Sequence, residues 1–165
     1  MNSNKLTLFV GHVVSYLIIL RHEYLVHKIK KLHPQIHQSV RIGFDTSFPG
    51  NGRVIIGEGT YLGRNCFLSA HPNENSIEIG KYCAISHNVN IRTNGYQEWD
   101  GVKRDRKSIG NVIIGDGVFI GANVFINGGI SIGDGATIGA NAVVLTDIPS
   151  GATAVGVPAR IINNK

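Results

Sequence analysis

The residues best equipped for chemistry in this 165-residue chain are two histidines, His71 and His87, and the nearby carboxylates Glu74, Glu98 and Asp100. A neutral imidazole within hydrogen-bond reach of an alcohol takes its proton as a new bond forms, which contributes roughly 10²–10⁴-fold. A carboxylate beside it can orient the ring. His12, His22, His27, His33 and His37 lie ahead of the regular part of the chain and read as surface or cap residues. Cys66 and Cys83 stand at regular positions of the pattern, where two buried thiols are expected rather than a disulfide, with a reducing compartment as the weaker corollary.

What positions these residues is a repeat. From residue 114 an apolar residue returns every six positions: Ile114, Ile120, Ile126, Ile132, Ile138 and Val144. Glycine follows at 115, 121, 133 and 139. Four residues after each apolar position comes a second small or branched one: Val118, Val124, Ile130, Ala136, Ala142 and Ile148. A strand alternates with period two and a helix with 3.6, so a period of six fits a two- to three-residue strand followed by a tight corner. Glycine, Asn and Asp supply the unusual φ values at such corners. The register recurs upstream at Ile56, Leu62, Leu68 and at Ile79, Ile85, Ile91, with Ile42 and Phe48 as a worn first turn. Three hexads make a triangular coil, and coils then begin at Ile42, Ile56, Ile79, Ile114 and Ile132. Against an 18-residue ideal, the first coil is short, as terminal repeats often are, and the next two carry insertions of 5 and 17 residues. Cys66 and Cys83 fall on inward positions.

Both insertions follow the third hexad of their coil, after Leu68 and after Ile91. The short loop AHPNENS and the long loop NGYQEWDGVKRDRKSIGN therefore leave the prism at the same corner, one above the other. An insertion this long in so economical a fold is a candidate functional loop. His71 opens the short insertion. His87 stands two after inward Ile85, at the corner following the second hexad, away from both loops unless it contacts a neighbouring subunit.

The length suits one domain with a modest core. Glycine is enriched, 21 residues against an average near ~7 %, charge is sparse, and the balance is +5. A basic balance suits nucleic acid, a membrane surface or a small anion; with no nucleic-acid-binding module in the sequence, the small anion is the better reading. At the N-terminus, LTLFVGHVVSYLIIL (15 residues) is shorter than the ~20 needed to span a bilayer and lacks the flanks of a signal peptide. Tyr16, Leu17, Leu20, Tyr24, Val26 and Ile29 return to one broad helical face, so one or two helices covering an end or side of the molecule are expected. Docking on a membrane surface is the alternative, supported by Lys28, Lys30 and Lys31.

The stretch IIGDGVFIGANVFINGGISIGDGATIGANAVVLTDIPSGATAVGVPARII resembles the C-terminal half of the hexapeptide-repeat acyltransferases, nearest to the sugar and polysaccharide O-acetyltransferases. The resemblance covers about residues 40 to 162. It implies a mainly β fold: a left-handed parallel β-helix solenoid of about five triangular coils, the handedness being carried by the family, since the usual crossover rule would give the opposite hand. The expected organisation is an N-terminal helical segment over 1–39, the β-helix over 40–150 with insertions near 69–78 and 92–111, and a C-terminal tail over 151–165. The resemblance further implies a homotrimer using acetyl-CoA as acyl donor, with no metal; no nucleic-acid partner is expected, and the expected location is the cytoplasm, at the inner face of the membrane if the N-terminal segment docks there.

In the family the insertion corner meets the neighbouring subunit at a groove for acyl-coenzyme A, where a histidine acts as base on the acceptor hydroxyl. Sugar acetyltransferases of this kind read N-V-x-[IL]-x-x-x-G-His; here NVNIRTNGY puts Tyr96 in that place. Tyrosine, with a reference pKa near ~10, is a poor base at neutral pH, but holds a substrate or donates a proton. Serine acetyltransferases place their histidine in a spot comparable to His71 in FLSAHPNENSIEIG. The resemblance therefore implies His71 and Tyr96 as the catalytic pair; beside them in the same loops, Glu74, Glu98 and Asp100 are candidates to orient the imidazole or to hold a sugar hydroxyl, and Trp99 to stack on a sugar or to pack across the subunit interface. It places Ala122 and Ala140 along the pantetheine arm, and Thr146 and Arg160 near the nucleotide phosphates, although many relatives carry Lys where Thr146 stands.

The leading expectation is an acyl-CoA-dependent O-acetyltransferase acting on a sugar hydroxyl, in surface-polysaccharide synthesis. The alternatives are N-acylation of an amino sugar, a serine O-acetyltransferase-like activity, and a non-catalytic trimer whose base was lost at Tyr96. A zinc hydratase of related fold needs three converging histidines, whereas His71 and His87 are 16 residues apart on different faces.

Overall fold

The structure, a computed structural model, describes residues 3–50, 52–71, 75–96, 106–108 and 110–164. It divides into two units, residues 1–32 and 33–165.

The first unit is a single α-helix, Ser3–Leu32. Its apolar residues do not keep to one face. Tyr16, Leu17, Ile18, Ile19 and Leu20 are consecutive and all exposed, and five residues at 100° each pass right round a helix. No helix among the described residues is long and apolar enough to cross a membrane.

The second unit is a prism with three faces of parallel strands. Face 1 stacks Arg53–Ile56, Ser76–Ile79, Val112–Ile114 and Ser131–Ile132. Face 2 stacks Arg41–Ile42, Tyr61–Leu62, Ala84–Ile85, Phe119–Ile120, Thr137–Ile138 and Ala152–Val155. Face 3 stacks Phe67–Ser69, Asn90–Arg92, Phe125–Ile126 and Val143–Val144. The register matches the hexads: Ile79 pairs with Ile114, Ile85 with Ile120 and Ile91 with Ile126. Each inward row is closed to solvent. Leu62, Ile85, Ile120 and Ile138 on face 2 are all 0 % exposed. Every coil thus hides its apolar residue between those of the coils above and below, and deleting one such side chain costs about 2–5 kcal/mol.

The first coil differs from the expectation. Ile36 bridges to Ile56, and Ile42 pairs with Leu62 on face 2, so the first coil starts one hexad earlier and is not short. His37 stands where the later coils have glycine, which hides the hexad. At the other end Ile148 bridges to Ile132 and opens a partial sixth coil that continues in Ala152–Val155. The tail then turns back, and Arg160–Asn164 pairs antiparallel with that strand.

The glycines that follow most inward residues on faces 1 and 2 are needed for stacking. A Cβ on Gly63 would lie 2.5 Å from the carbonyl carbon of Ser86, and one on Gly121 would lie 2.5 Å from the amide nitrogen of Ala140. Cys66 and Cys83 are free, buried thiols, as the register implied. Their Sγ–H groups donate to the carbonyls of Ser86 and Gly115, each at 3.1 Å. Burial pushes both thiols above their ordinary pKa.

Candidate active site

The three corners of the prism carry different chemistry. Between faces 3 and 1 the insertions leave the coil stack, as their shared hexad position required. Leu68 pairs with Ile91 and Ser69 with Arg92, so the two exits lie one coil apart. His71, half-buried, donates its backbone N–H to Thr93 Oγ1 at 2.7 Å. Thr93 is itself 0 % exposed, and its N–H donates to the Ser69 carbonyl at 3.1 Å. The two returns are coupled as well, since Ser76 N–H donates to Asn111 Oδ1 at 2.9 Å. The long insertion leaves as an antiparallel ribbon of Asn94–Tyr96 against Arg106–Ser108, with Tyr96 opposite Arg106. Tyr96 thus starts from the coil directly stacked on the one that ends at His71. Thr146, exposed, occupies the same corner two coils further on.

The corner between faces 2 and 3 is a regular column. Its first positions are Phe44, Arg64, His87, Ala122 and Ala140; the second are Asp45, Asn65, Asn88, Asn123 and Asn141. Backbone hydrogen bonds set the stack: Asn88 N–H to Arg64 O at 2.9 Å, Asn123 N–H to His87 O at 3.0 Å, and Asn141 N–H to Ala122 O at 2.8 Å. All five second-position residues have φ between 55° and 61°, the left-handed conformation that Asn and Asp tolerate best among non-glycine residues. The four Asn side chains form an amide ladder, each Nδ2–H donating to the Oδ1 of the next at 2.9, 2.9 and 3.0 Å. Ala140 is exposed and Ala122 half-buried, so the last two full coils of this edge present small side chains. Arg160, exposed at the start of the last strand, opposes Val155 in the sheet that continues face 2. Its Nη1 donates to the Ala159 carbonyl at 3.0 Å.

One chain therefore brings His71, the exit strand ending at Tyr96, and Thr146 to one corner, and Ala122 and Ala140 to another, with face 3 between them. Glu74, Trp99 and Asp100 lie outside the described residues, and of Tyr96 only the backbone is described. Among the described residues, no group of three or more His, Cys, Asp or Glu is placed to hold a metal ion. The structure adds that His87 shares its column with Ala122 and Ala140. The signal lay in the register: Arg64, His87, Ala122 and Ala140 each stand two residues after an inward residue of face 2.

Residues 111–146 match the family model described as bacterial transferase hexapeptide (six repeats). The chain is 32 % identical over 110 residues to the galactoside O-acetyltransferase of Escherichia coli K12, covering 64 % of this chain and 54 % of that one. It is 37 % identical over 130 residues to a polysialic acid O-acetyltransferase of Escherichia coli O1:K1, covering 78 % and 42 %. The chain thus spans about half the length of the curated relatives it matches. Among solved structures, a maltose O-acetyltransferase of Clostridium difficile superposes with a TM-score of 0.69 at 24 % identity over 90 % of this chain and 88 % of that one. A hexapeptide-repeat acetyltransferase of Vibrio cholerae, solved with acetyl coenzyme A, gives a TM-score of 0.64 at 24 % identity over 82 % and 73 %. The polysialic acid-specific acetyltransferase NeuO gives 0.59 at 32 % identity over 76 % and 61 %.

Proposed function

We propose that this chain, which has the left-handed parallel β-helix and the hexads of the hexapeptide-repeat acyltransferases, transfers an acetyl group from acetyl-CoA to a sugar hydroxyl. The observation that carries the reading is the division of labour between corners. Two stacked alanines, Ala122 and Ala140, form the C-terminal part of one edge of face 3, and the insertion corner with its half-buried histidine lies along the other. The strip suits the pantetheine arm of coenzyme A, with Thr146 and Arg160 assigned to the phosphates. The insertion corner suits the acceptor, with Glu74, Trp99 and Asp100 in its loops.

Face 3 separates the two corners in a single chain, so a second copy must bring its insertion corner to the alanine strip. A homotrimer about an axis parallel to the prism does this, because equal coils then lie at equal heights. His71 takes the acceptor O–H proton as the oxygen attacks the thioester carbonyl. Hydrogen-bond donors at the interface stabilise the tetrahedral oxyanion. Collapse breaks the C–S bond, and the departing thiolate takes the proton back from His71, leaving an O-acetyl sugar and free coenzyme A. Tyr96 holds the acceptor or supplies a proton. The names of the curated relatives, a galactoside and a polysialic acid O-acetyltransferase, support a sugar acceptor, and the second of them supports a role with a polysaccharide. The exposed apolar residues Tyr16 to Leu20, which encircle the helix, and the positive charge of Lys28, Lys30 and Lys31 support contact with an anionic membrane from the cytoplasmic side.

The test is release of free thiol from acetyl-CoA with a panel of sugars and amines, repeated with His71→Ala and Tyr96→Phe. The account expects a sugar-dependent rate that His71→Ala lowers at least 100-fold. Amine-only turnover replaces O- with N-acylation. Full activity in His71→Ala sinks the assigned base, and absence of both coenzyme A binding and turnover sinks the enzyme.

A further inference from the structure

The column that carries Ala122 and Ala140 does not end at Ala122. One coil earlier it presents His87 and one coil earlier again Arg64, both exposed. Resting on the acyl-transfer reading above, the direction of the donor along this column is defined. Arg160 and Thr146, assigned to the nucleotide phosphates, belong to the C-terminal coils. The pantetheine arm then descends past Ala140 and Ala122, and the thioester emerges at the level of His87. Whatever receives the acetyl group lies against His87 and next to Arg64.

Both side chains are held for such a role. The Arg64 guanidinium carbon lies over the Phe44 ring, 5.4 Å from its centroid. A guanidinium seated over a ring keeps N–H donors for an oxyanion. His87 Nδ1 meets Ser86 Oγ at 3.2 Å. Ser86 occupies the position that is glycine in the four other full coils of this face, at Gly43, Gly63, Gly121 and Gly139. The one coil that replaces this glycine within the stack thus places a hydroxyl on the neighbouring imidazole. With Nδ1 engaged by Ser86, Nε2 is the nitrogen left for a ligand.

We propose that Arg64 and His87 form an anion-binding subsite for the acceptor, and that the acceptor is a sugar carrying an oxyanion, a carboxylate or a phosphate, close to the acetylated hydroxyl. Arg64 supplies the permanent charge and the forked donors. His87 supplies the second hydrogen bond at the height of the reacting thioester.

Steady-state thiol release from acetyl-CoA is measured with glucose, glucuronate and glucose 6-phosphate, which share a ring and differ in charge. The expected result is a kcat/KM at least tenfold higher for one or both charged sugars than for glucose, lost as salt is raised. Arg64→Gln abolishes the preference by raising acceptor KM while acetyl-CoA KM is unchanged, and Arg64→Lys restores part of it. His87→Asn, which keeps a donor, retains more of the preference than His87→Ala. Which charged sugar wins separates carboxylate from phosphate. If no sugar turns over, saturation-transfer NMR on the protein saturated with coenzyme A reads binding of glucuronate and glucose 6-phosphate directly. Equal use or binding of glucose, or a preference intact in Arg64→Gln, overturns the subsite while leaving acetyl transfer standing. Failure to bind coenzyme A at all overturns the acyltransfer reading, and the acceptor subsite with it.

Discussion

Thr93→Val isolates the contact that ties the two insertions together. The side chain is 0 % exposed, and its Oγ1 accepts the His71 N–H at 2.7 Å. Valine fills nearly the same volume, so no cavity forms and the change removes the acceptor of the His71 N–H. A neutral hydrogen bond is worth about 1 kcal/mol net, and an amide left without its partner costs about 1–3 kcal/mol. His71 is only half-buried, so water recovers part of that loss. The expected destabilisation is therefore about 1–2 kcal/mol, a fall in Tm of roughly 2–8 °C for a chain of this size. Catalysis should suffer more than stability. A base displaced by about 1 Å loses up to about 100-fold in rate, so kcat falls ~10–100-fold with acetyl-CoA KM unchanged. Urea unfolding and steady-state thiol release are measured on wild type, Thr93→Val and Thr93→Ser, the last of which keeps the acceptor oxygen. If Thr93→Val loses the expected stability but matches Thr93→Ser in kcat, the corner at His71 is scaffold and the reasoning about the base is refuted.

Three further outcomes follow from the coil stack. Asn123→Ala breaks two rungs of the amide ladder at a residue with φ of 60°, so it should destabilise by ~1–3 kcal/mol in urea; Asn123→Gly, free of the φ penalty, should recover part of this. Gly121→Ala puts a Cβ 2.5 Å from the Ala140 nitrogen, which should cost ~1–3 kcal/mol and raise acetyl-CoA KM by shifting the strip next to Ala122. The raised thiol pKa values of Cys66 and Cys83 mean that above about pH 8.5 the unfolded chain loses protons that the folded chain keeps. Stability is then full below that pH and declines as pH rises toward the folded thiol pKa. Urea midpoints from pH 7 to 10 should show this decline, smaller in Cys66→Ala/Cys83→Ala, and the native thiols should react slowly with a disulfide reagent.

The sequence exposed the fold because each coil repeats one solution to one packing problem. Gly121 and Gly63 are glycine since the next backbone leaves no room, and Ile120 and Ile138 share a row since each covers the other. That periodicity also placed Cys66 and Cys83 inward and put both insertions on one corner. It failed at the ends. His37 in place of the marker glycine hides Ile36, and Pro149 in the same place puts Ile148 in the wrong row of the pattern. The N-terminal helix was read as one-sided, although five consecutive exposed apolar residues encircle it. The candidate site was legible only in halves. Register assigns a residue to a corner, so it placed His71 beside the long insertion and Ala122 with Ala140. It also carried the Arg64–His87 column, visible once residues two after each inward position on face 2 are compared. Glu74, Trp99 and Asp100 lie in irregular loops, where no period constrains position.

The central claim is that the base corner and the alanine strip act together only between two copies of the chain. Subunit mixing tests it most directly. His71→Ala disables one corner, and Ala140→Trp obstructs the other without touching the inward rows. Each variant alone should show a small residual rate of thiol release. Refolded together in equal amounts, they should recover about a quarter of the wild-type rate, because random assembly pairs an intact corner with an intact strip at that frequency. A mixture no more active than the two variants measured apart would place both halves of the site within one chain and contradict the account.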